Sequence, residues 1–144
     1  MAKVERSILI NASPEEIDAI TMDGKRLAEW YTGIQKAVPD DKYPEPGGKI
    51  VLSYKSAGIT FDLTQTVLER VPGQSAKYKM EGMITGTNHW VFVPEGDGMR
   101  VTATFEYEMP GGALGKVADK LIVEKMNAEN LEKSLENLKK LAEG

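Results

Sequence analysis

Residues 111–142 read GGALGKVADKLIVEKMNAENLEKSLENLKKLA. Leu114, Leu121, Ala128, Leu135 and Ala142 recur every seven residues, with Val117, Leu131 and Leu138 between them. Rows spaced three and four apart share one face of a helix, so the spacing predicts a single amphipathic helix with one apolar stripe over 111–142. At 1.5 Å per residue it would be about 45 Å long, more than a small domain is wide. Such a helix cannot bury its stripe alone. The segments before it read as strands, so the stripe is expected to lie across a sheet. From Leu131 to Ala142 the stripe is continuous, which predicts an anchor. From Leu114 to Ala128 it is interrupted by Glu124 and Lys125, and Asn127 and Asn130 flank the small Ala128. That part is expected to roof a cavity, with Leu121 and Ala128 facing it.

Upstream, Lys3 to Asn11 alternates as a strand, with Arg6 on the same face as Val4, Ile8 and Ile10. Ser13-Pro14-Glu15-Glu16 then starts a helix: Ser13 caps, Pro14 takes the first helical position and Glu16 closes a capping box. Asp23-Gly24 interrupts it near Met22, and a second short helix carries Leu27, Trp30 and Tyr31 on one side. Ile34 to Val38 reads as a short strand. The stretch from Pro39 to Gly48, with its prolines and paired glycines, reads as a loop. Strands follow at Lys49 to Lys55 and Ile59 to Val71, then Ser75 to Glu81 after the Pro72-Gly73 turn.

The clearest hairpin joins Thr87 to Pro94 with Met99 to Met109 through Glu95-Gly96-Asp97-Gly98. Pairing Pro94 with Met99 sets Phe92 opposite Val101, Trp90 opposite Ala103 and Asn88 opposite Phe105, all on one face. His89 then falls on the other face, beside Thr104, and a slip of one residue would reverse this. The order is β-α-α, several antiparallel strands, then a long α-helix. It predicts a single α+β domain over 1–144, in which a curved antiparallel sheet wraps one helix.

Composition removes several function classes. The 144 residues suffice for one real core, and the formal charge of −4 argues against nucleic acid, which asks for a basic patch. Without cysteine there is no disulfide, thiol nucleophile or thiolate metal site. One histidine cannot build a zinc site of the usual kind or a conventional triad, so no catalytic residue, metal or cofactor is assigned. Pro39-Asp40-Asp41 reads as a solvated loop. Gly111-Gly112 lacks a phosphate-binding fingerprint and reads as a hinge. Met1 to Glu5 runs straight into a strand pattern and no apolar run approaches a membrane span, so a cytoplasmic protein, a monomer or weak dimer, is expected.

The chain resembles the START/Bet v 1-like (SRPBCC) superfamily, and within it the polyketide cyclase/dehydrase and lipid-transport group. The resemblance is carried by Arg6-Ser7-Ile8 through Ala12-Ser13-Pro14-Glu15-Glu16, and by Leu27-Ala28-Glu29-Trp30-Tyr31. It continues in Glu69-Arg70-Val71-Pro72-Gly73 and in Glu106-Tyr107-Glu108-Met109-Pro110-Gly111-Gly112 leading into the last helix. It implies a helix-grip fold, a seven-stranded sheet curled around the C-terminal helix with two short helices closing one end. It also implies a hydrophobic cavity between sheet and helix. Members bind lipids, sterols, polyketides or plant hormones, and some are cyclases or dehydratases. They share no universal catalytic motif, so function rests on individual residues. A related branch, the Hsp90-activator-like proteins, shares the early helix pair and adds the expectation of an interaction module.

On the inward sheet face alternation places Tyr54, Phe61, Tyr78 and Met80, then Trp90, Phe92, Phe105 and Tyr107, with Trp30 joining from the short helices. Periodicity does not separate a filled core from a lined pocket; the resemblance implies the pocket. Arg6, Gln65 and Asn88 also fall inward, and a buried Arg6 would need an acid, a ligand or a route to solvent. Either Arg6 reaches out from a strand end, or it binds a carboxylate or stabilises an enolate in an aldol cyclisation, with Tyr54 or Tyr107 adding a hydrogen bond. The reading that follows is a binding or carrier protein for a small hydrophobic ligand, with a cyclase/dehydratase as the alternative. The expected ligand contacts are Arg6, Trp30, Tyr54, Phe61, Tyr78 and Met80, together with Asn88, Trp90, Phe105, Tyr107, Leu121 and Ala128.

Overall fold

A computed structural model describes residues 2–56, 58–108 and 120–144. β1 (Ala2–Ile10) leads into α1 (Pro14–Thr21), a 3-10 turn (Gly24–Arg26) and α2 (Leu27–Trp30). Six strands follow: β2 (Ile34–Pro39), β3 (Lys49–Ser56), β4 (Ile59–Val71), β5 (Ser75–Gly82), β6 (Thr85–Glu95) and β7 (Gly98–Glu108). The chain closes with α3 (Lys120–Glu143). The seven strands form one antiparallel sheet in the order β1-β7-β6-β5-β4-β3-β2. β2 to β7 is thus a meander, and β1 pairs with the last strand instead of its sequence neighbour. This is the helix-grip arrangement that the sequence predicts. The part of the predicted helix over 111–119, with its Gly111-Gly112 hinge, lies outside the described residues.

Local chemistry explains the boundaries. Ser13 Oγ accepts the Glu16 amide at 3.1 Å and also meets Glu16 Oε1 at 3.1 Å, so Ser13 and Glu16 are tied side chain to side chain as well as through the cap. Asp23 ends the first helix and caps the 3-10 turn through the Lys25 amide. The β6–β7 register is the predicted one: Pro94 pairs with Met99, Trp90 with Ala103, Asn88 with Phe105 and His89 with Thr104. His89 is accordingly exposed. Register shifts at Ile34/Lys36 and Val67/Glu69 add bulges, which bend a strand and increase its twist. Gly86 has φ of +149°, and a Cβ there would come within 2.0 Å of Glu106 O. Only glycine lets β6 approach β7 at that point.

The apolar stripe of α3 joins the core formed by the sheet and the short helices. Leu131, Leu135 and Leu138 are buried on the stripe that the sequence marked, alongside Val4, Ile10 and Ile17. Each such side chain contributes about 1.5–3 kcal/mol by leaving water. Between them sits a residue absent from the predicted stripe. Ser134 is fully buried, accepts the Thr32 amide at 2.8 Å and donates to Asn130 O at 2.6 Å. Asn137 Nδ2 donates to Trp30 O at 3.1 Å. The anchored half of α3 thereby holds the end of α2, and with it Trp30, in place.

Candidate functional site

One end of the fold is not filled. A cavity lies between the sheet, α2, the loop before β3 and the N-terminal part of α3, with about 80 Å³ open to the centres of water molecules. One water needs roughly 10–15 Å³ on that measure, so several waters or a small ligand fit. Its sheet wall carries Leu52 and Tyr54 on β3, Leu63 and Gln65 on β4, and Tyr78 and Met80 on β5. Asn88 and Trp90 on β6, with Phe105 and Tyr107 on β7, complete that wall. Trp30 and Tyr31 close one end, and Asn127 reaches in from α3.

Of the residues expected from sequence, Trp30, Tyr54, Tyr78, Met80, Asn88, Trp90, Phe105 and Tyr107 line this cavity. Three others do not. Arg6 points to the helix side of β1, as alternation predicted, but at the sheet's edge. Its Nε donates to Glu132 Oε1 at 2.7 Å, and both side chains are about half exposed, at 42% and 53%. Arg6 therefore finds its acid on α3 and its water at the rim, which corrects the expectation of a cationic group in the cavity. Phe61 is buried beside Tyr54 on the same sheet face, with ring centroids 5.6 Å apart, but outside the lining. Ala128 packs partly buried against the core, outside the lining. Leu121 has no described side chain.

The reading from sequence missed Tyr43 as well, because loop geometry places it. Asp40 accepts the backbone amides of Lys42, Tyr43 and Lys49 at 3.0, 2.9 and 3.1 Å. Those amides, Lys49 first, hold the Asp40 carboxyl below its usual range. The Gly47 amide donates to Val67 O at 2.8 Å and Val67 donates to Gly48 O at 2.9 Å, stitching the loop to β4. Arg70 adds a side-chain tie, bonding Glu45 at 2.7 Å and Asp18 at 2.8 Å. A loop folded around one carboxylate thus delivers a tyrosine to the cavity. Asp40, read from sequence as part of a solvated loop, is a structural acceptor, and no group of three or more potential metal ligands occurs among the described residues.

All five tyrosines of the chain line the cavity: Tyr31, Tyr43, Tyr54, Tyr78 and Tyr107. Four of them form two polar groups in an apolar wall. In one, the Tyr78 hydroxyl meets Met22 Sδ at 3.4 Å and interacts with Tyr43. In the other, Tyr107 accepts from Asn127 Nδ2 at 3.0 Å and Tyr54 pairs with the Asn130 side chain. Burial pushes every one of these phenols up, Tyr43 to about 12 and Tyr31 and Tyr78 well above the ordinary tyrosine value. They are neutral donors at any physiological pH, not bases. Among the described lining residues there is no Asp, Glu, His, Lys or Arg.

Among the described residues of this lining, two buried polar atoms have no hydrogen-bond partner: Trp30 Nε1 and Asn88 Oδ1. Trp30 meets Trp90 edge to face with centroids 5.6 Å apart, and Asn88 lies two residues from Trp90 on the same face of β6.

Fold and site together define a helix-grip protein with an aromatic cavity whose described lining residues carry no charge. The sequence matches the family described as "Polyketide cyclase / dehydrase and lipid transport" over residues 1–143, and the chain belongs to that family. No curated protein matches it in sequence. Solved structures with the same fold include a protein of Thermus thermophilus, at 23% identity and a TM-score of 0.83, covering 98% of this chain and 97% of that one. The Zhui aromatase/cyclase of a Streptomyces species superposes with a TM-score of 0.82 at 13% identity, over 99% and 93% of the two chains. A START superfamily protein from Mycobacterium smegmatis does so with 0.77 at 18% identity, over 98% and 97%. At these identities the likeness is one of fold.

Proposed function

We propose that this protein binds and carries a small, uncharged and largely apolar molecule in the cavity between sheet and α3, without transforming it. The observation that carries this reading is the lining. A charged ligand buried there would meet no counter-charge among the described residues, and an unpaired buried charge is costly. General acid–base catalysis needs groups that exchange protons near neutral pH, and the raised phenols do not. What the cavity offers is apolar surface, at about 25 cal/mol for each Å² removed from water, with sparse polar anchors to set orientation. Trp30, Tyr54, Tyr78, Met80, Asn88, Trp90, Phe105 and Tyr107 are the proposed contacts. Entry is through displacement of α2 or of the loop before β3.

A second reading, a cyclase or dehydratase, is favoured by the family description and by the phenols, which can donate hydrogen bonds to a carbonyl. Native mass spectrometry of gently purified protein, followed by titration with neutral and acidic apolar probes, tests the first reading. A retained neutral molecule or preferential binding of neutral probes supports it. Rejection of every probe by folded protein removes it, and conversion of a bound poly-carbonyl probe to a cyclic product would favour the second.

A further inference from the structure

The cavity's two unpartnered polar atoms specify more than apolarity. Trp30 is 2% exposed and Asn88 4% exposed, yet an indole N–H and an amide oxygen are left unsatisfied among the described residues. Native proteins pair nearly all buried polar groups, and leaving one unpaired costs as much as the hydrogen bond it lacks. Several other polar side chains of the lining are met within the fold: Tyr107 by Asn127, Tyr54 by Asn130, and Tyr43 and Tyr78 by each other. The two buried lining atoms without a partner among the described residues lie on α2 and β6, at residues that flank or form the Trp30–Trp90 contact.

We infer that Trp30 Nε1 and Asn88 form the polar reading head of the cavity, and that the ligand carries a hydroxyl group on a ring or chain held by the surrounding aromatics. This rests on the carrier reading above. A hydroxyl is the small neutral group that accepts from an indole N–H and donates to an amide oxygen. It still pairs if the Asn88 amide is turned over, because the hydroxyl then accepts from the amide nitrogen. A carboxylate fits poorly. It can accept from Trp30 but brings a charge that no described lining residue balances, and it has no proton for Asn88 Oδ1. An unsubstituted hydrocarbon gains the apolar contacts but leaves both atoms buried and unpaired.

The test is isothermal titration of the whole protein with three probes of matched shape: naphthalene, 2-naphthol and 2-naphthoate. The expected order is 2-naphthol first, naphthalene about tenfold weaker from one unmet buried hydrogen bond, and 2-naphthoate weakest. Asn88→Leu, which keeps the volume, and Trp30→Phe, which keeps an aromatic ring, should each narrow the ratio of naphthol to naphthalene affinity severalfold, whatever each does to the affinity for naphthalene itself. Equal affinity of wild-type protein for naphthol and naphthalene overturns the hydroxyl inference and leaves the carrier reading standing. A naphthol preference unchanged in both variants overturns the assignment to Trp30 and Asn88. Failure of all three probes to bind overturns inference and carrier reading together.

Discussion

The two ends of the sheet's inner face are built from the same kinds of residue and behave differently. Beneath the C-terminal half of α3, Leu131, Ser134, Leu135 and Leu138 are buried at 2% exposure or less, and the buried Ser134 hydroxyl both donates and accepts. Beneath α2 and the loop before β3 the wall mixes buried Tyr54, Tyr78, Met80 and Trp90 with partly buried Tyr31, Tyr43 and Phe105; it encloses space and leaves Trp30 Nε1 and Asn88 Oδ1 unpaired among the described residues. Apolarity therefore does not distinguish core from pocket. The distinction lies in polar satisfaction: the packed end completes its hydrogen bonds within the chain, whereas the open end leaves capacity for something else.

The sharpest way to break this contrast is to cut a leucine from each end. Leu138→Ala in the packed end should cost about 4 kcal/mol in urea unfolding, because the cavity it leaves is closed on all sides. Leu63→Ala on the cavity wall should cost about 2 kcal/mol, since its side chain already lacks neighbours on one side. Equal costs would mean that the open end is filled in solution.

Alkali should act on the open end next. Tyr43 ionises near 10 when unfolded but only at about 12 when folded, so between those values the unfolded state has lost a proton that the folded state keeps. Stability is then full below pH 10 and falls as pH rises toward 12, by roughly 1.4 kcal/mol per unit from this group alone. The other four tyrosines are shifted in the same direction and steepen the loss. Absorbance at alkaline pH should show tyrosinate appearing with unfolding; tyrosinate in folded protein near pH 10 would contradict the burial.

Ser134→Ala tests the packed end's hydrogen bonds. It strands the Thr32 amide and should cost about 2 kcal/mol by chemical denaturation, with a looser α2. A substitution there that also weakens probe binding would show the two ends to be coupled through Trp30. Arg6→Ala should do least. An exposed ion pair is worth under about 1 kcal/mol, and because Arg6 lies outside the cavity, neutral-probe affinity should not change. A substantial loss of affinity would return Arg6 to the site.

Much of this was legible in the sequence, for definite reasons. The β6–β7 register followed from one turn and two alternating runs, and it placed Asn88 and Trp90 inward and His89 outward. The packing stripe of α3 was readable from Leu131 onward. Extrapolating a strict seven-residue repeat further back misplaced the cavity face. An α-helix drifts by about 20° per heptad against such a repeat. Asn127, four residues before Leu131, lines the cavity where Ala128 was expected. Tyr43 was invisible to periodicity because a loop wound around Asp40 positions it. Ser134 was missed because a hydroxyl carries no hydrophobic signal, although its neighbours did. Arg6 was placed on the correct face, but alternation says nothing of how far along a strand the cavity extends.

The placement of every tyrosine and both tryptophans around one cavity has a practical corollary. Nearly all of the chain's ultraviolet chromophores sit within reach of whatever enters. Near-ultraviolet dichroism and intrinsic emission of the unlabelled protein thus report on a single compartment, and an arriving guest announces itself spectroscopically before it is identified.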